Sequence, residues 1–456
     1  MIKFIRPFIT LLLAVIAFGA NAQSAFTIAT TSSPYSSFGL GIYEPALLPQ
    51  TMAMGGIATA INRISGYNNI NPLNPASYGS INFTTIDAGI YGGVEVLSQT
   101  GFASVSNATF RLSHVTFGIP VTRNSAVSFG LLPYSEMGYN YLVAKTGFGT
   151  TPSTSGALNV DTNTVNYIYN GNGGLSKAYL GYGYHIGKHL YIGANASYIF
   201  GQLQQFRSEE TPSLYGFLNT RIENDNSING MNFDYGAQYS FDFGESQNKH
   251  LILAYSASVS SSLNSQYTYI VSQYNYGSTG VENQALDTVV NQQTPNSKIQ
   301  LPRINHFGIS YQADGKFLVG ADYSTANWSA LTISGTNAGL QNDQTFNIGG
   351  QYTPDINALH SVLLRTDYRL GLIYENTYLN YDNTAIKRTA VTFGFGIPLS
   401  PNLSSFYKVN FSAEVGQEGQ LGAAGTPQSS LIRQKYVNLH LSFTVNDKWF
   451  QRFRFE

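Results

Sequence analysis

Lys435-Tyr436-Val437-Asn438-Leu439-His440-Leu441-Ser442-Phe443-Thr444-Val445 changes character at every step. Val437, Leu439, Leu441, Phe443 and Val445 fall on one face, and Asn438, His440, Ser442 and Thr444 on the other. A period of two is the signature of an extended strand with one apolar and one polar side. Similar stretches recur over the last three quarters of the chain. Leu180, Tyr182, Tyr184 and Ile186 oppose Gly181, Gly183 and His185, and Val391, Phe393, Phe395 and Ile397 oppose Thr392, Gly394 and Gly396. A bilayer accepts no unpaired sheet edge, so the expected fold is all-β: a transmembrane antiparallel β-barrel of about 14 strands.

Composition supports a lipid-facing surface. Of 456 residues only 11% are charged, against 14% aromatic, and the formal net charge is -1. Soluble domains carry about 25% charged residues. The 32 Tyr suit membrane interfaces and the 45 Gly suit turns and tight barrel positions. Near-neutral charge excludes a nucleic-acid partner of the basic-face type. Lys3 and Arg6 precede the apolar run Phe8 to Phe18 and the small-x-small site Ala20-Asn21-Ala22, so residues 1–22 read as a signal peptide. Beyond them no run of about 18 apolar residues predicts a spanning helix. The competing reading is a secreted soluble β-protein such as a propeller.

Residues 23–80 differ from the rest of the mature chain, because Ser33-Pro34-Tyr35, Gly39-Leu40-Gly41, Met54-Gly55-Gly56 and Asn71-Pro72-Leu73-Asn74-Pro75-Ala76 break them into short pieces. Such a segment is expected to plug the lumen, the alternative being a loose periplasmic arm, with a short helix expected within Thr51 to Ile64. Residues 81–446 are the expected barrel and 447–456 a short periplasmic tail. Strand stretches include His250 to Val271, Lys298 to Tyr311, Lys316 to Thr332 and His360 to Leu379. Short links such as Thr122-Arg123-Asn124, Gly187-Lys188, Ala313-Asp314-Gly315 and Ser400-Pro401-Asn402 alternate with long polar ones at Gly147 to Gly173, Ser208 to Ile228, Gln273 to Ser297 and Gln420 to Ser430. That beat is expected of an outer-membrane barrel and not of a propeller. Tyr139, Tyr141, Tyr267, Tyr269, Tyr374 and Tyr378 are expected in an outer aromatic girdle. Phe110 and Leu112 lie out of phase with Val115, Phe117 and Ile119, which calls for a bulge.

Enzymatic signatures are not found: there is no G-x-S-x-G elbow, H-E-x-x-H, Walker loop or calcium loop. The seven histidines have no metal-ligand spacing, and neither metal nor cofactor is expected. The one catalytic alternative pairs His440 with a serine across the lumen. Charge gathers on one expected inner face, where Arg365, Asp367 and Arg369 alternate with outward Leu364, Tyr368 and Leu370, and Asp322, Lys408 and Glu414 also turn inward. Outward placement would cost about 2 to 4 kcal/mol per charge at the midplane. The set reads as an ion-pair ladder holding the plug, or as a contact for a ligand carboxylate. Pro133 interrupts the alternation Val127, Phe129, Leu131 and removes a ladder donor, so it marks a local gap or the strand's outer end.

The plug residues Gly55, Gly56, Asn74, Pro75 and Ala76, together with Leu131-Leu132-Pro133-Tyr134-Ser135, resemble the FadL family of outer-membrane transporters for fatty acids and other hydrophobic compounds. The resemblance implies 14 strands, an N-terminal hatch that shifts on ligand binding, and a kink in the third strand opening a lateral exit, where Pro133 falls. It implies outer-membrane lipids and a hydrophobic small molecule as partners. Other relatives of this barrel type are subunits or shuttles of outer-membrane secretion and assembly complexes, which makes other outer-membrane proteins the alternative partners. The charged lining departs from a greasy tunnel.

Overall fold

A computed structural model describes residues 33–64, 67–146, 150–152, 158–160, 164–211, 217–244, 248–277, 282–283, 285–358, 361–381, 383–399 and 406–447. The expected signal peptide, most of the tail, and the Ser400-Pro401-Asn402 link lie outside them. The described residues form a closed barrel of 14 antiparallel strands. In chain order these are Thr84–Gln99, Val105–Thr122, Ser125–Thr146, Thr164–Ile186, Leu190–Glu210 and Asn219–Phe243. The seventh strand is Lys249–Ser258 with Ser262–Tyr274, and the eighth is Asp287–Gln300 with Ile304–Ala313. Phe317–Ala326, Asp343–Tyr352, Asp367–Tyr381, Thr384–Pro398, Phe406–Gly419 and Ile432–Asp447 complete the wall. The last strand closes on the first from Ile432↔Gln99 to Asp447↔Thr84, so every strand finds a partner, as a bilayer requires.

Burial is inverted relative to a soluble protein. In the last strand Leu439 is 43% exposed while His440 is 7% exposed, and Val437 and Phe443 are exposed while Ser442 and Thr444 are buried. The apolar face looks out and the polar face looks into the lumen. The out-of-phase stretch resolves through a register shift opposite Gly89 and Ile90, where Ser113 is the extra residue, and Phe110 and Leu112 both end up exposed.

Strands three to eight are much longer than a bilayer crossing, which needs about 9 to 11 residues. Part of what composition assigned to three of the four long loops is their upper part: the fourth strand begins at Thr164, the sixth at Asn219 and the eighth at Asp287, while Gln420 to Ser430 lies between strands as expected. Polar residues on both faces erase the alternation there, yet the backbone ladder continues, from Gln202↔Ser227 up to Glu209↔Thr220 for example. His250 to Val271 and Lys298 to Tyr311 are each two strand pieces, interrupted at residues 259–261 and 301–303. The expected strand Lys316 to Thr332 stops at Ala326 and turns into a short helical turn at Trp328–Ala330.

The lumen is filled in layers. In the fifth strand Asn195 and Ser197 are buried inward below, and Ile199 and Leu203 continue the same face above. In the sixth strand Asn232 and Asp234 give way in the same manner to Ile228. The upper inward residues Leu175, Ile199, Ile228, Leu263 and Ile299 pack with Trp328 and with Tyr35 and Leu40 of the amino-terminal segment. An apolar cap therefore closes the upper barrel, and the polar part lies beneath it. Tyr139 and Tyr378 belong to this cap and point inward, whereas Tyr141 and Tyr374 are exposed outside. The girdle expectation fails for the first two. Tyr139 shares its face with Tyr141, their ring centres 5.8 Å apart, but lies deeper, where the third strand is buried under the cap, and Tyr378 is turned inward within the register shift between Asn376 and Asn380.

Candidate functional site

Residues 33–81 run through the lumen. The short helix expected within Thr51 to Ile64 is instead Pro49–Met52, because Gly55 and Gly56 adopt φ of 73° and 79° and prevent its continuation. Short segments leave backbone groups unpaired, and inward polar side chains of the wall satisfy them. The Gly55 amide donates to Thr392 Oγ1 at 2.7 Å. Asp322 Oδ2 accepts from the amides of Ala58 and Thr59 at 2.8 and 2.7 Å. Gln238 Nε2 donates to the Thr59 carbonyl at 2.9 Å, and Ser310 Oγ to that of Ala60 at 2.6 Å. Asn74 caps a turn by accepting from the Ala76 amide at 3.1 Å and ties the segment together by donating to the Thr59 carbonyl at 2.7 Å.

Contact is closest where wall strands carry glycine. Gly349 and Gly371 face each other on strands ten and eleven, and a Cβ at either would run into the backbone of Met54 and Gly55. Gly183 and Gly193 are likewise opposed on strands four and five, and a Cβ there would meet the backbone at Pro75. At Gly236, beside Gly193 on the sixth strand, it would meet the Asn74 side chain. Both sequence-singled motifs, Gly55-Gly56 and Asn74-Pro75-Ala76, thus rest backbone against backbone in glycine saddles. Each wall glycine appears in the sequence, but the pairing of two saddles with two motifs is a product of register and could not be read there.

Below the saddles lies a charged tie. Asp367, 0% exposed, accepts from Lys408 Nζ at 2.7 Å and Arg369 Nη2 at 2.9 Å through Oδ2, and from Thr353 Oγ1 at 2.7 Å through Oδ1. Arg369 also donates to Gln351 Oε1 at 2.7 Å and Asn410 Oδ1 at 2.9 Å. Asp87 links His114 Nε2 at 2.6 Å with Gln50 of the hatch at 2.9 Å, and accepts from Thr444. Arg365 is a correction to the expected ladder. It lies in a helical turn, Val362–Arg365, that Ser361 caps ahead of the strand, and it shares no inward stripe with Asp367 and Arg369. Among the described residues His440 makes no hydrogen bond to a serine; its ring stands 4.9 Å from that of Tyr91.

Pro133 lies in the third strand at a seam in the wall. The ladder between strands two and three runs from Thr122↔Ser125 to Val115↔Leu131 and ends. Beyond it the third strand bends inward, buried from Tyr134 to Tyr139, with a register shift between Pro133 and Ser135 against the fourth. Its free edge pairs with Ile42–Tyr43 of the hatch, Ile42↔Glu136 and Tyr43↔Ser135. Arg111 of the second strand crosses the seam to Glu136 at 2.6 Å and Glu44 at 3.4 Å. Burial raises the Glu44 carboxyl above its ordinary range, an effect that Arg111 and Arg388 oppose.

Comparison with known proteins places this architecture. A family model described as BamG matches residues 1–456. The toluene transporter TbuX of Ralstonia pickettii superposes with a TM-score of 0.51 at 16% identity, covering 88% of this chain and 99% of that one. The P. putida toluene transporter TodX gives 0.54 at 13% identity, covering 91% and 100%. A Pseudomonas aeruginosa FadL homologue gives 0.50 at 12% identity, covering 87% and 98%. No curated protein matches. The fold is that of the FadL-like outer-membrane barrels.

Proposed function

This chain belongs to the BamG family along its whole length, and from that premise we propose that it works as a non-conducting barrel, a fixed subunit of a larger outer-membrane assembly. The observation that carries the reading is the seating of the hatch. Its backbone lies on glycine saddles in several strands, its amides are bonded to wall side chains, and an apolar cap seals the space above. A plug that must leave its seat on every transport cycle would have to break this buried network. Each buried polar group left unmet costs about 1–3 kcal/mol. The buried charges Asp367, Arg369 and Lys408 also place ions inside the lumen, where a hydrophobic ligand would have to pass them.

A second reading has its own support in the seam at Pro133: passive uptake of a hydrophobic or fatty-acid-like molecule, with the hatch shifting and the ligand leaving sideways between strands two and three. One preparation separates the two. Extraction of a tagged chain in mild detergent is expected to bring down a complex of fixed ratio, and cells lacking the chain are expected to take up hydrophobic probes as before. A lone monomer on native gels, together with impaired uptake, would favour the transport reading instead.

A further inference from the structure

Between the seated hatch and the apolar cap remains a cavity of about 210 Å³. It is smaller than the roughly 300–1,000 Å³ typical of sites for drug-sized ligands, so it suits a slim occupant. Its walls include Gln434, Tyr436, Asn438 and His440, alternate residues of the last strand. Six residues of extended strand cover roughly 20 Å, so the space is elongated along the wall.

Its charge is one-sided. Eight of the lining residues carry carboxylates, and Arg388 is the single Lys or Arg among them. The protein's own cations show how the site receives positive charge. Arg388 lies between Glu375 at 3.0 Å and Glu414 at 2.6 Å, with Tyr436 beneath it. Arg111 reaches in between Glu136 and Glu44 over the face of Tyr91, 4.4 Å from the ring centre. The carboxylate of Glu418, whose backbone pairs with Arg388 and Gln434 at the upper end, makes no hydrogen bond or salt bridge among the described residues. His440, at the lower end, is nine-tenths buried, and its Nδ1 has no hydrogen-bond partner. An unmet buried ring nitrogen at one end and an unpaired carboxylate at the other, in a space lined by eight carboxyl groups and one guanidinium, leave room for an occupant that brings hydrogen-bonding nitrogens and positive charge.

We propose that this cavity binds a linear organic polycation of the aliphatic polyamine class, with one ammonium at Glu418 and the chain running toward His440. The proposal holds whether or not the barrel has protein partners, since it concerns the occupant of the lumen alone. Trp328 reports on the site, because it packs against Tyr43 and Tyr378, which line it.

The test titrates spermidine into the full-length barrel in a non-ionic detergent, by calorimetry and by the emission of Trp328 in a Trp449→Phe background. Neutral 1,8-octanediol and magnesium serve as comparison ligands. Saturable binding of spermidine at one site is expected, with no binding of the diol and weaker binding of magnesium. Glu418→Gln and His440→Leu, each checked for a folded barrel by its heat-modifiable mobility, are expected to weaken spermidine by about tenfold or more. Equal affinity for the diol or magnesium, no saturable signal, or unchanged affinity in both variants would overturn the proposal.

Discussion

Gly371→Ala is expected to unseat the hatch without opening the barrel wall. The added methyl runs into the backbone of Met54 and Gly55, which cannot rotate aside as a side chain would. Forced overpacking of this kind costs about 1–3 kcal/mol, and pairing it with Gly349→Ala across the same saddle attacks the same backbone from the neighbouring strand. Hydrogen exchange of the segment 49–62 is the readout, because the Gly55 amide is protected by Thr392. At about 1.4 kcal/mol per tenfold, protection there should fall by about tenfold for one substitution and by more for two. Gly92→Ala is the control, since its Cβ meets nothing closer than 3.8 Å. Undiminished protection in the double variant would mean that the saddles do not hold the hatch.

The second large effect is expected at Asp367. Removing its carboxylate in Asp367→Ala leaves Arg369 and Lys408, 4% and 6% exposed, facing each other with their shared anion gone. Breaking a buried pair from one side costs about 3–5 kcal/mol. The urea midpoint for unfolding of the barrel should drop accordingly, and Lys408→Met in the same background should recover part of the loss by removing one stranded charge. A midpoint that stays put after Asp367→Ala would show the tie to be idle.

Strand number and the inside-outside assignment were legible because lipid and lumen impose opposite polarity on alternate residues, as at Leu439 and His440. The inward turn of Asp367 and Arg369 followed from the same parity. Arg365 was misplaced because parity was carried two residues too far, past the point where Ser361 caps a helical turn. The upper parts of the long strands were unreadable for a different reason. Above the bilayer both faces are wet, so Asn219 to Ser227 reads as a polar loop, and where inward residues join the apolar cap the buried Ile199 between the exposed Tyr198 and Phe200 makes an unbroken apolar run. The glycine saddles escaped notice because a glycine carries no phase. The bulge at Ser113 was readable, because it leaves apolar residues on two successive phases.

The most direct test of the closed lumen is the conductance of the purified full-length barrel in a planar bilayer. A hatch seated as described, beneath an apolar cap, predicts no steady current at moderate voltages, with channel activity appearing when residues 33–81 are deleted. A stable open channel in the intact chain, equal in size to that of the deletion, would contradict it.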